Sequence, residues 1–534
     1  MASLSTAANT TEVLIIGGGP TGLTLALELS VQKVPFRIID KATVRSDKSR
    51  ALSCQPRSLE LLMRYGDSRE LAARGNAIKG LQYILNKKVV STVETDGIDL
   101  NDTEFRQPLI LSQHETETWL EVRLAEQGLA VERGVTATSI EQDVDGATVR
   151  LTLPDGACET VRCQYCIGCD GAHSFVRKLA GLRFEGERYA SEFALCDAHV
   201  KWEHSLKHIT VCMGKRWMVL LPLGDGRVRM GMCTVKGEEQ PSLERFRREF
   251  KRLVPGPFEL YGAEWLTTFR LHHRIADEFR TERLLVAGDA AHIHSPIGGQ
   301  GMNTGIQDAV NLGWKLGCVV RGEKPDSFLD TYTQERRPVG LKILSTTDRM
   351  FNFLTGTNWL FVAMRNLLMP WVLPRVYDTR EKREKMFRFM MELGLNYRRS
   401  PIVDNTNGVG ASIQAGDRAP DGRLQGADGT DKQLQQLFRG PNHHIVVFSG
   451  LGPGRDVKEQ IHDFRRIVSM KQDMLWRKAE IHNIWSEELF ANSGRLDVMN
   501  ALHFRYGMTE AGFILVRPDG YVAQIGVLPY LPPY

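Results

Sequence analysis

The chain has 534 residues, of which 42% are hydrophobic and 25% are charged, and its formal net charge is +4. This length is too great for one core, so about two to four domains of ordinary globular composition are expected. A small net charge without a Lys/Arg block excludes a nucleic-acid-binding class, and the N-terminal segment has no secretory signal pattern. We therefore expect a cytoplasmic protein whose nine cysteines are reduced.

A βαβ unit opens the chain. An apolar strand at residues 13–16 runs into the turn GGGPTG at 17–22, and a helical pattern follows. The sequence FRIID at 36–40 indicates a second strand that ends in an acid. This order of strand, glycine turn, helix, strand and acid is typical of a dinucleotide-binding unit.

The turn has the G-x-G-x-x-G spacing. Its first glycine allows the tight turn, the second lets a pyrophosphate approach the backbone, and the third lets the helix pack on the strand. The phosphate then meets the helix N-terminus, and the acid is placed for a ribose hydroxyl. The motif alone leaves FAD and NAD(P) open. The predicted contacts are Gly17, Gly19, Pro20, Thr21, Gly22, Asp40 and Lys41.

A cysteine-rich stretch, CQYCIGC at 163–169, lies at the end of a β-meander predicted from about 131 to 169. Side chains alternate along a strand, so Cys166 faces away from Cys163 and Cys169. We therefore predict no metal site and interpret these cysteines as small apolar strand residues.

Further strands are predicted from about 185 to 270, with Gly-Asp-Gly as the turn of a hairpin in RWMVLLPLGDGRVRMGMCTV. A later apolar stretch, WLFVAMRNLLMPWVL at 359–373, is interrupted by Arg365, Asn366 and Pro370. It is too short and too interrupted to span a bilayer, so we expect a buried or interface helix and no stable membrane insertion.

The most informative stretch is RLLVAGDAAHIHSPIGGQGMNTGIQDAVN at 283–311. A buried strand leads to Asp289, which could accept a hydrogen bond from a ribityl hydroxyl. The glycines at 298, 299 and 301 leave backbone N–H groups free to face an electron-rich ring edge. The tail beyond 401 alternates strands and helices and lacks cysteine, which excludes thiol redox work there.

At these residues the sequence closely resembles the flavoprotein aromatic hydroxylases, the single-component FAD monooxygenases that include p-hydroxybenzoate hydroxylase and phenol hydroxylase. Three motifs match in order: GGGPTG, CDGAHSFVR at 169–177, and AGDAAHIHSPIGGQGMNTGIQDAVNLGWKL at 287–316. The resemblance covers most of residues 11–400. The tail, with GDRAPDGRL and LVRPDGYVA, resembles the thioredoxin-like domain of the phenol hydroxylase branch.

The resemblance implies an α/β and α+β architecture. A Rossmann-like FAD-binding domain (1–184 and 281–400, the second part with a helical segment) would hold an inserted β-sheet substrate domain (185–280). A thioredoxin-like α/β domain (401–534) would follow, with a packing or homodimer role.

The resemblance also implies residue roles. Asp289 would hold the ribityl chain, Pro296 would lie beside the isoalloxazine and take part in catalysis, and Asp170 would serve FAD and NAD(P)H. The remaining implied FAD contacts are Arg50, Gln113, Gly299, Gly301, Met302 and Asn303. The cycle implied is reduction of FAD by NADPH or NADH, addition of O2 at flavin C4a, and transfer of oxygen from the hydroperoxide to an aromatic ring.

An activated ring reacts better as a phenolate, so a base or strong hydrogen-bond partner should face the substrate hydroxyl. Arg270 and His272 are the candidates, with Tyr189 and Trp217 as weaker candidates for the pocket wall. The expected substrate is a phenol or a polyketide-derived aromatic of secondary metabolism. Baeyer–Villiger oxygen insertion and oxidative dearomatisation on the same fold remain alternatives. A non-catalytic scaffold is disfavoured, because the loop glycines and Asp289 are present.

Overall fold

The structure is a computed structural model that describes residues 9–528, apart from 46–50, 205, 235–239, 296–297, 357, 405–412, 427, 453–456 and 488–494. Two predicted site residues, Arg50 and Pro296, therefore lie outside the described residues.

The strands follow the chain from the N-terminal βαβ unit to a final hairpin. In order they are β1 (Asn9–Ile16), β2 (Phe36–Asp40), β3 (Ser53–Cys54), β4 (Asn76–Ala77), β5 (Gly80–Leu85), β6 (Lys88–Glu94), β7 (Leu109–Ile110), β8 (Glu132–Arg133), β9 (Thr136–Asp143), β10 (Gly146–Thr152), β11 (Cys158–Gly168), β12 (Phe184–Trp202), β13 (Ile209–Met213), β14 (Trp217–Gly224), β15 (Arg227–Thr234), β16 (Phe258–Ala276), β17 (Arg280–Thr281), β18 (Leu284–Val286), β19 (His292–Ile293), β20 (Arg423–Gly426), β21 (Asp431–Gln433), β22 (His444–Phe448), β23 (Glu480–Trp485), β24 (Arg495–Asp497), β25 (Gly512–Val516) and β26 (Val522–Val527).

The helices lie mainly around the first sheet and in the segment before the C-terminal region. They are α1 (Pro20–Val31), α2 (Pro56–Leu62), α3 (Ser68–Ala72), α4 (Gln113–Ala125), α5 (Phe175–Leu179), α6 (Leu243–Leu253), α7 (Gly301–Val320), α8 (Asp330–Thr355), α9 (Trp359–Val376), α10 (Arg380–Met390), α11 (Val457–Met470), α12 (Met474–Arg477) and α13 (Ala501–Tyr506).

The first sheet has the parallel strands β2, β1, β11 and β18 at its centre. Helix α1 packs between this sheet and α7. Strands β9, β10 and β11 pair antiparallel at one side, which confirms the predicted meander. Because parallel strands present their carboxyl ends at one edge, the turns that follow β1, β11 and β18 meet there.

The second sheet has the order β19-β16-β12-β15-β14-β13-β5-β6. The predicted hairpin between β14 and β15 is confirmed, with Gly224, Asp225 and Gly226 all at positive φ. Strands β5 and β6 also join this sheet, through parallel pairing of β5 with β13. The substrate-domain prediction of 185–280 did not include them.

The two faces of the second sheet are covered differently. Helix α6 covers one face, with Phe246 and Phe250 in its core. Helices α8, α9 and α10 cover the other. Here a set of apolar side chains forms what we call the inner cluster: Tyr189, Phe193, Trp217, Leu271, Phe351, Met369 and Leu373.

The third sheet lies in the C-terminal region, in the order β21-β20-β24-β23-β22-β25-β26. The turn after β25 packs against helices α7 and α8. Arg517 donates to both carboxylate oxygens of Glu335 on α8 at 2.6 and 2.8 Å. Asp519 accepts from the indole N–H of Trp314 on α7 at 3.1 Å, and Lys315 donates to Glu335 at 2.7 Å. This buried ion cluster fixes the C-terminal region against α7 and α8.

Helix α9 forms where the sequence predicts it, but it is not a buried helix. Only Arg365, Met369 and Leu373 of this element are buried. The proline and arginine residues within this apolar segment did not indicate from the sequence which side chains of α9 would pack against the rest of the protein. Among the residues that the structure describes, every helix is too short or too polar to cross a membrane.

A buried acid next to α7 gives a pH prediction. Burial raises the pKa of Glu392, which accepts a hydrogen bond from Gln307, to about 8. Its folded pKa exceeds its unfolded value of 4.5, so its favourable contribution is complete below pH 4.5 and is lost as pH rises towards 8. The Glu392→Gln variant should gain about 1.4 kcal/mol over wild type for each pH unit in this window. Denaturant titration at pH 5, 6 and 7 measures the difference in free energy of unfolding between variant and wild type. The exposed Glu381→Gln variant is the control. A difference between Glu392→Gln and wild type that does not change with pH would contradict the prediction.

Candidate functional site

The β1–α1 turn combines two crowded glycines with an open one. A Cβ at Gly17, whose φ is +116°, would lie 2.2 Å from the Cys169 carbonyl oxygen. A Cβ at Gly22 would lie 1.9 Å from the Gly17 carbonyl oxygen. In contrast, a Cβ at Gly19 would meet nothing within 4 Å. The first and third glycines are therefore needed for packing, and the second leaves room for a ligand beside the α1 N-terminus, where Pro20 is the first residue.

Asp40 lies beside this turn, as predicted from its place at the end of β2. One of its carboxylate oxygens accepts from the Gly18 N–H at 2.6 Å, and the other accepts from the Ala42 N–H at 2.8 Å. Arg133 approaches it at 3.8 Å. The neighbouring Lys41 is exposed. The carboxylate is thus fixed at the edge of the open space beside Gly19.

The Asp-Gly motif after β11 forms a second turn at the same edge. Asp170 Oδ2 accepts from the Phe175 N–H at 2.6 Å, whereas its Oδ1 is buried and has no hydrogen-bond partner. Ser174 caps α5, and Arg177 donates to the Ala290 carbonyl at 2.8 Å. A buried carboxylate oxygen without a partner is costly unless a donor reaches it.

The third motif lies against the first. Gly288 and Gly305 approach the Thr21 hydroxyl so closely that a Cβ at either would lie 2.4 or 2.3 Å from it. Asp289 is exposed at the turn that follows β18. Beneath it, His292 contacts Asp308 at 2.7 Å, and Arg336 donates to the other oxygen of Asp308 at 2.6 Å. The motifs, distant in sequence, converge on one edge.

The glycine loop before α7 is held by Asn303. Its amide donates to the Ser53 and Gly299 carbonyls at 2.9 and 2.8 Å, and its oxygen accepts from the Gln55 N–H at 2.7 Å. The Asn303 side chain therefore holds this loop in place, and a contact of Asn303 with the cofactor stays a prediction. Helix α7 starts at Gly301 without a side-chain cap, so the backbone N–H groups of its first turn, including that of Met302, are suited to an electron-rich partner.

Gln113 lies at the first turn of α4, and its backbone N–H donates to the Ala51 carbonyl at 3.1 Å. This pairing places Gln113 beside Ala51, and its role as an FAD contact stays a prediction. The Gln113 side chain donates to Glu117 at 2.8 Å.

These features fit FAD. The open space at Gly19 and the α1 N-terminus suit its pyrophosphate, and Asp40 suits the adenosine ribose. Asp170 Oδ1 and the exposed Asp289 are acceptors for hydroxyl groups, and the α7 N-terminus suits the pyrimidine edge of an isoalloxazine.

The predicted base candidates do not face the inner cluster. Arg270 has a 60% exposed side chain and pairs with Glu192 at 3.1 Å. His272 lies on the same face of β16, where burial and nearby Arg274 and Arg188 lower its pKa. Tyr189 and Trp217 lie in the inner cluster on the opposite face. The structure thus places Arg270 and His272 on one face of the second sheet and Tyr189 and Trp217 on the other.

Sequence reasoning missed a polar group in the inner cluster. Tyr189 donates to Asp348 on α8 at 2.8 Å, and the same carboxylate oxygen lies 3.9 Å from Nδ1 of His273. The rings of Tyr189 and His273 are in edge contact, with centroids 4.8 Å apart. The adjacent histidines of β16 point to opposite faces, and the sequence pattern HH gave no signal of which one faces the cluster.

The cysteine stretch forms a strand, as predicted. Cys163 and Cys166 lie buried on β11, and the Cys163 thiol donates to the Ala147 carbonyl. Cys169 follows the strand. Burial raises the pKa of the Cys163 thiol to about 12, as expected for a packing residue.

Among the described residues, one trio of potential metal donors occurs elsewhere, on β22 and β23: His444, Glu480 and His482. The two histidines approach to 3.1 Å, and burial lowers their pKa values to about 2 and about 4. A hydrogen bond between two neutral rings accounts for this contact.

Comparisons with known proteins agree with this geometry. The family described as FAD binding domain matches residues 10–347. The chain is 31% identical to 6-methylpretetramide 4-monooxygenase of Streptomyces rimosus, covering 96% of this chain and 90% of that protein. It is 29% identical to pentachlorophenol 4-monooxygenase of Sphingobium chlorophenolicum, covering 96% and 93%. The solved structure of OxyS anhydrotetracycline hydroxylase from Streptomyces rimosus superposes with a TM-score of 0.73 at 27% identity, covering 97% and 96%.

Proposed function

Because the chain belongs to the FAD binding domain family and to its aromatic monooxygenases, we propose that it hydroxylates a phenolic or polyketide-derived aromatic substrate, with NAD(P)H as the electron donor. The observation that carries this proposal is the convergence of three motifs on one sheet edge. There Gly19 leaves open space, Asp170 has an unpartnered buried oxygen, and Asp289 is exposed.

FAD, when bound, supplies the electron transfer between NAD(P)H and O2 that closed-shell side chains cannot carry out. The residues of this chain bind and orient it. The α1 N-terminus and Gly19 would hold the pyrophosphate, Asp40 the ribose, and Asp170 and Asp289 the ribityl hydroxyls. Backbone N–H groups at Gly301 and Met302 would face the ring, with Pro296 beside it.

The inner cluster is the proposed substrate site. Its apolar side chains, such as Trp217 and Phe351, exclude water from the reacting ring. Burial and Asp348 raise the pKa of Tyr189, so its hydroxyl stays protonated and acts as a donor. His273, whose buried Nδ1 has no hydrogen-bond partner among the described residues and lies 3.9 Å from Asp348, is the group that would take the proton of the substrate hydroxyl.

The four predicted segments are proposed as the domains of this enzyme: 1–184 with 281–400 for FAD, 185–280 for substrate, to whose sheet β5 and β6 of the first segment also belong, and 401–534 as a thioredoxin-like unit. Support for the last comes from its topology. Strands β22 and β23 are parallel and joined through α11, and the antiparallel hairpin β25–β26 extends the same sheet. The buried ion cluster at Arg517 supports a packing role for this unit.

The test is to purify the protein, reconstitute it with FAD, and measure NADPH and NADH consumption with a panel of phenols and polyketide aromatics. Flavin absorption bands and consumption accelerated by one member of the panel are the expected result. Chromatographic resolution of product isomers then separates hydroxylation from oxygen insertion. Failure to retain flavin after reconstitution would reject the proposal.

The neighbouring histidines of β16 provide a matched pair. The His273→Asn variant should slow substrate-stimulated NADPH consumption by about 100-fold, because it removes the proposed base. The His272→Asn variant, on the other face, should retain turnover within about threefold of wild type. Both variants should be compared at equal flavin content, and the opposite ranking would favour His272, the candidate from the sequence.

A further inference from the structure

The outer side of α9 concentrates exposed apolar side chains. Trp359 is 79% exposed, Leu367 70% and Trp371 67%. The other large exposed hydrophobic side chains of this helix are Leu360, Phe361, Met364, Leu368, Val372 and Val376. We call these nine residues the apolar face. Monomeric proteins rarely expose contiguous apolar patches above a few hundred Å², so this face is suited to contact with a partner.

The opposite side of α9 is firmly fixed. Arg365 donates to the Leu354 and Gly214 carbonyls at 2.8 and 3.1 Å, and Asn366 donates to the same Gly214 carbonyl at 3.2 Å. Met369 and Leu373 pack into the inner cluster. The helix therefore already buries one side, and its apolar face is held outward.

Exposed cations lie in two turns beside α9, one of which contacts the helix through Gly214. Lys215 follows Gly214 and is exposed. The adjacent turn, joined by a 2.9 Å hydrogen bond from the Asn86 N–H to the Met213 carbonyl, carries the exposed Lys87 and Lys88. Neither turn contains an acid. We call Lys87, Lys88 and Lys215 the basic rim.

We propose that the apolar face and the basic rim together dock this protein on the surface of an anionic lipid bilayer. Tryptophan and leucine side chains enter the boundary between headgroups and acyl chains, while lysine binds anionic headgroups. A second copy of the chain would also cover the apolar face. However, α9 and the basic rim of that copy contain no acid that could pair with these cations, whereas anionic headgroups would.

Docking has a consequence for substrate access. The inner side of α9 contributes Met369 and Leu373 to the inner cluster, so the bound protein would hold that cluster beside the bilayer. An apolar aromatic dissolved in lipid would then have a short path to it. This consequence rests on the proposed function, whereas docking itself does not.

The test is co-sedimentation of the FAD-loaded full chain with vesicles of phosphatidylcholine alone or mixed with phosphatidylglycerol. Binding to the mixed vesicles and little binding to the neutral ones is expected. The Leu367→Gln/Trp371→Gln variant should reduce partitioning by about tenfold or more. The Lys87→Gln/Lys88→Gln variant should reduce it by about fivefold for each cation removed, and salt should weaken binding of the wild type.

The control is Phe504→Gln on α13, where a 64% exposed aromatic side chain lies outside the apolar face. It should bind vesicles as the wild type does. Flavin content and melting temperature establish that each variant is folded. Absence of binding to both kinds of vesicle would overturn the proposal. Light scattering would then show whether the apolar face instead joins two copies, which the Leu367→Gln/Trp371→Gln variant should separate.

Discussion

The Gly19→Val variant is expected to lose FAD while keeping its fold. Gly19 has extended backbone angles (φ −83°, ψ −173°) that valine adopts readily, and among the described residues a Cβ there meets nothing within 4 Å. The side chain would instead fill the space proposed for the pyrophosphate. We expect FAD binding to weaken by about 1,000-fold, which is about 4.1 kcal/mol. Flavin fluorescence titration of the apoprotein measures this loss.

Gly452, in the loop that follows β22, provides the matched control. A Cβ at this glycine also meets nothing within 4 Å in the part of the chain that the structure describes. The Gly452→Val variant should bind FAD like the wild type, and both variants should show wild-type melting in the absence of FAD. Equal FAD affinity in the Gly19→Val variant and the wild type would refute the proposed pyrophosphate position.

The Arg517→Leu variant is expected to destabilise the whole chain. It removes the guanidinium that bonds Glu335 and Asp519 while both carboxylates remain buried. Breaking a buried ion pair from one side costs about 3–5 kcal/mol. Because Glu335 also bonds Lys315 on α7, flavin release and unfolding should occur together at a lower denaturant concentration. Denaturant titration followed by flavin fluorescence and circular dichroism measures both transitions.

An exposed ion pair in the C-terminal region serves as the control. It distinguishes the loss of a buried ion pair from the loss of any positive charge. Arg423 donates to Asp431 at 2.6 Å, with side chains 58% and 50% exposed. The Arg423→Leu variant should unfold at nearly the same denaturant concentration as the wild type, because water and salt screen an exposed ion pair. Similar losses in the two variants would mean that the buried ion cluster does not fix the C-terminal region.

The local motifs were predictable from the sequence because their chemistry depends on a few adjacent residues. The spacing of Gly17, Gly19 and Gly22 predicted a turn with one open glycine, and the structure has it. The place of Asp40 after a strand predicted its position beside that turn. Convergence with Asp170 and Asp289 followed from the resemblance and from parallel pairing of β1, β11 and β18.

The remaining features depend on contacts that a local pattern does not contain. Strand β5 pairs with β13, far along the chain, so its membership of the second sheet had no local signal. The alternation of β16 was visible, but which of its faces α8 would cover was not, so the sequence did not place Arg270 on the face away from the inner cluster. The motif likewise did not reveal that the Asn303 side chain is hydrogen-bonded to Ser53, Gln55 and Gly299.

The central claim is that this chain transfers an oxygen atom from O2 to an aromatic ring. The most direct measurement is mass spectrometry of the product formed under isotopically heavy dioxygen, with NADPH and the phenol that most accelerates its consumption. The account predicts one heavy oxygen atom in each product molecule when the reaction is run in ordinary water. Product oxygen that comes from water, or NADPH consumption without any oxygenated product across the panel, would contradict it.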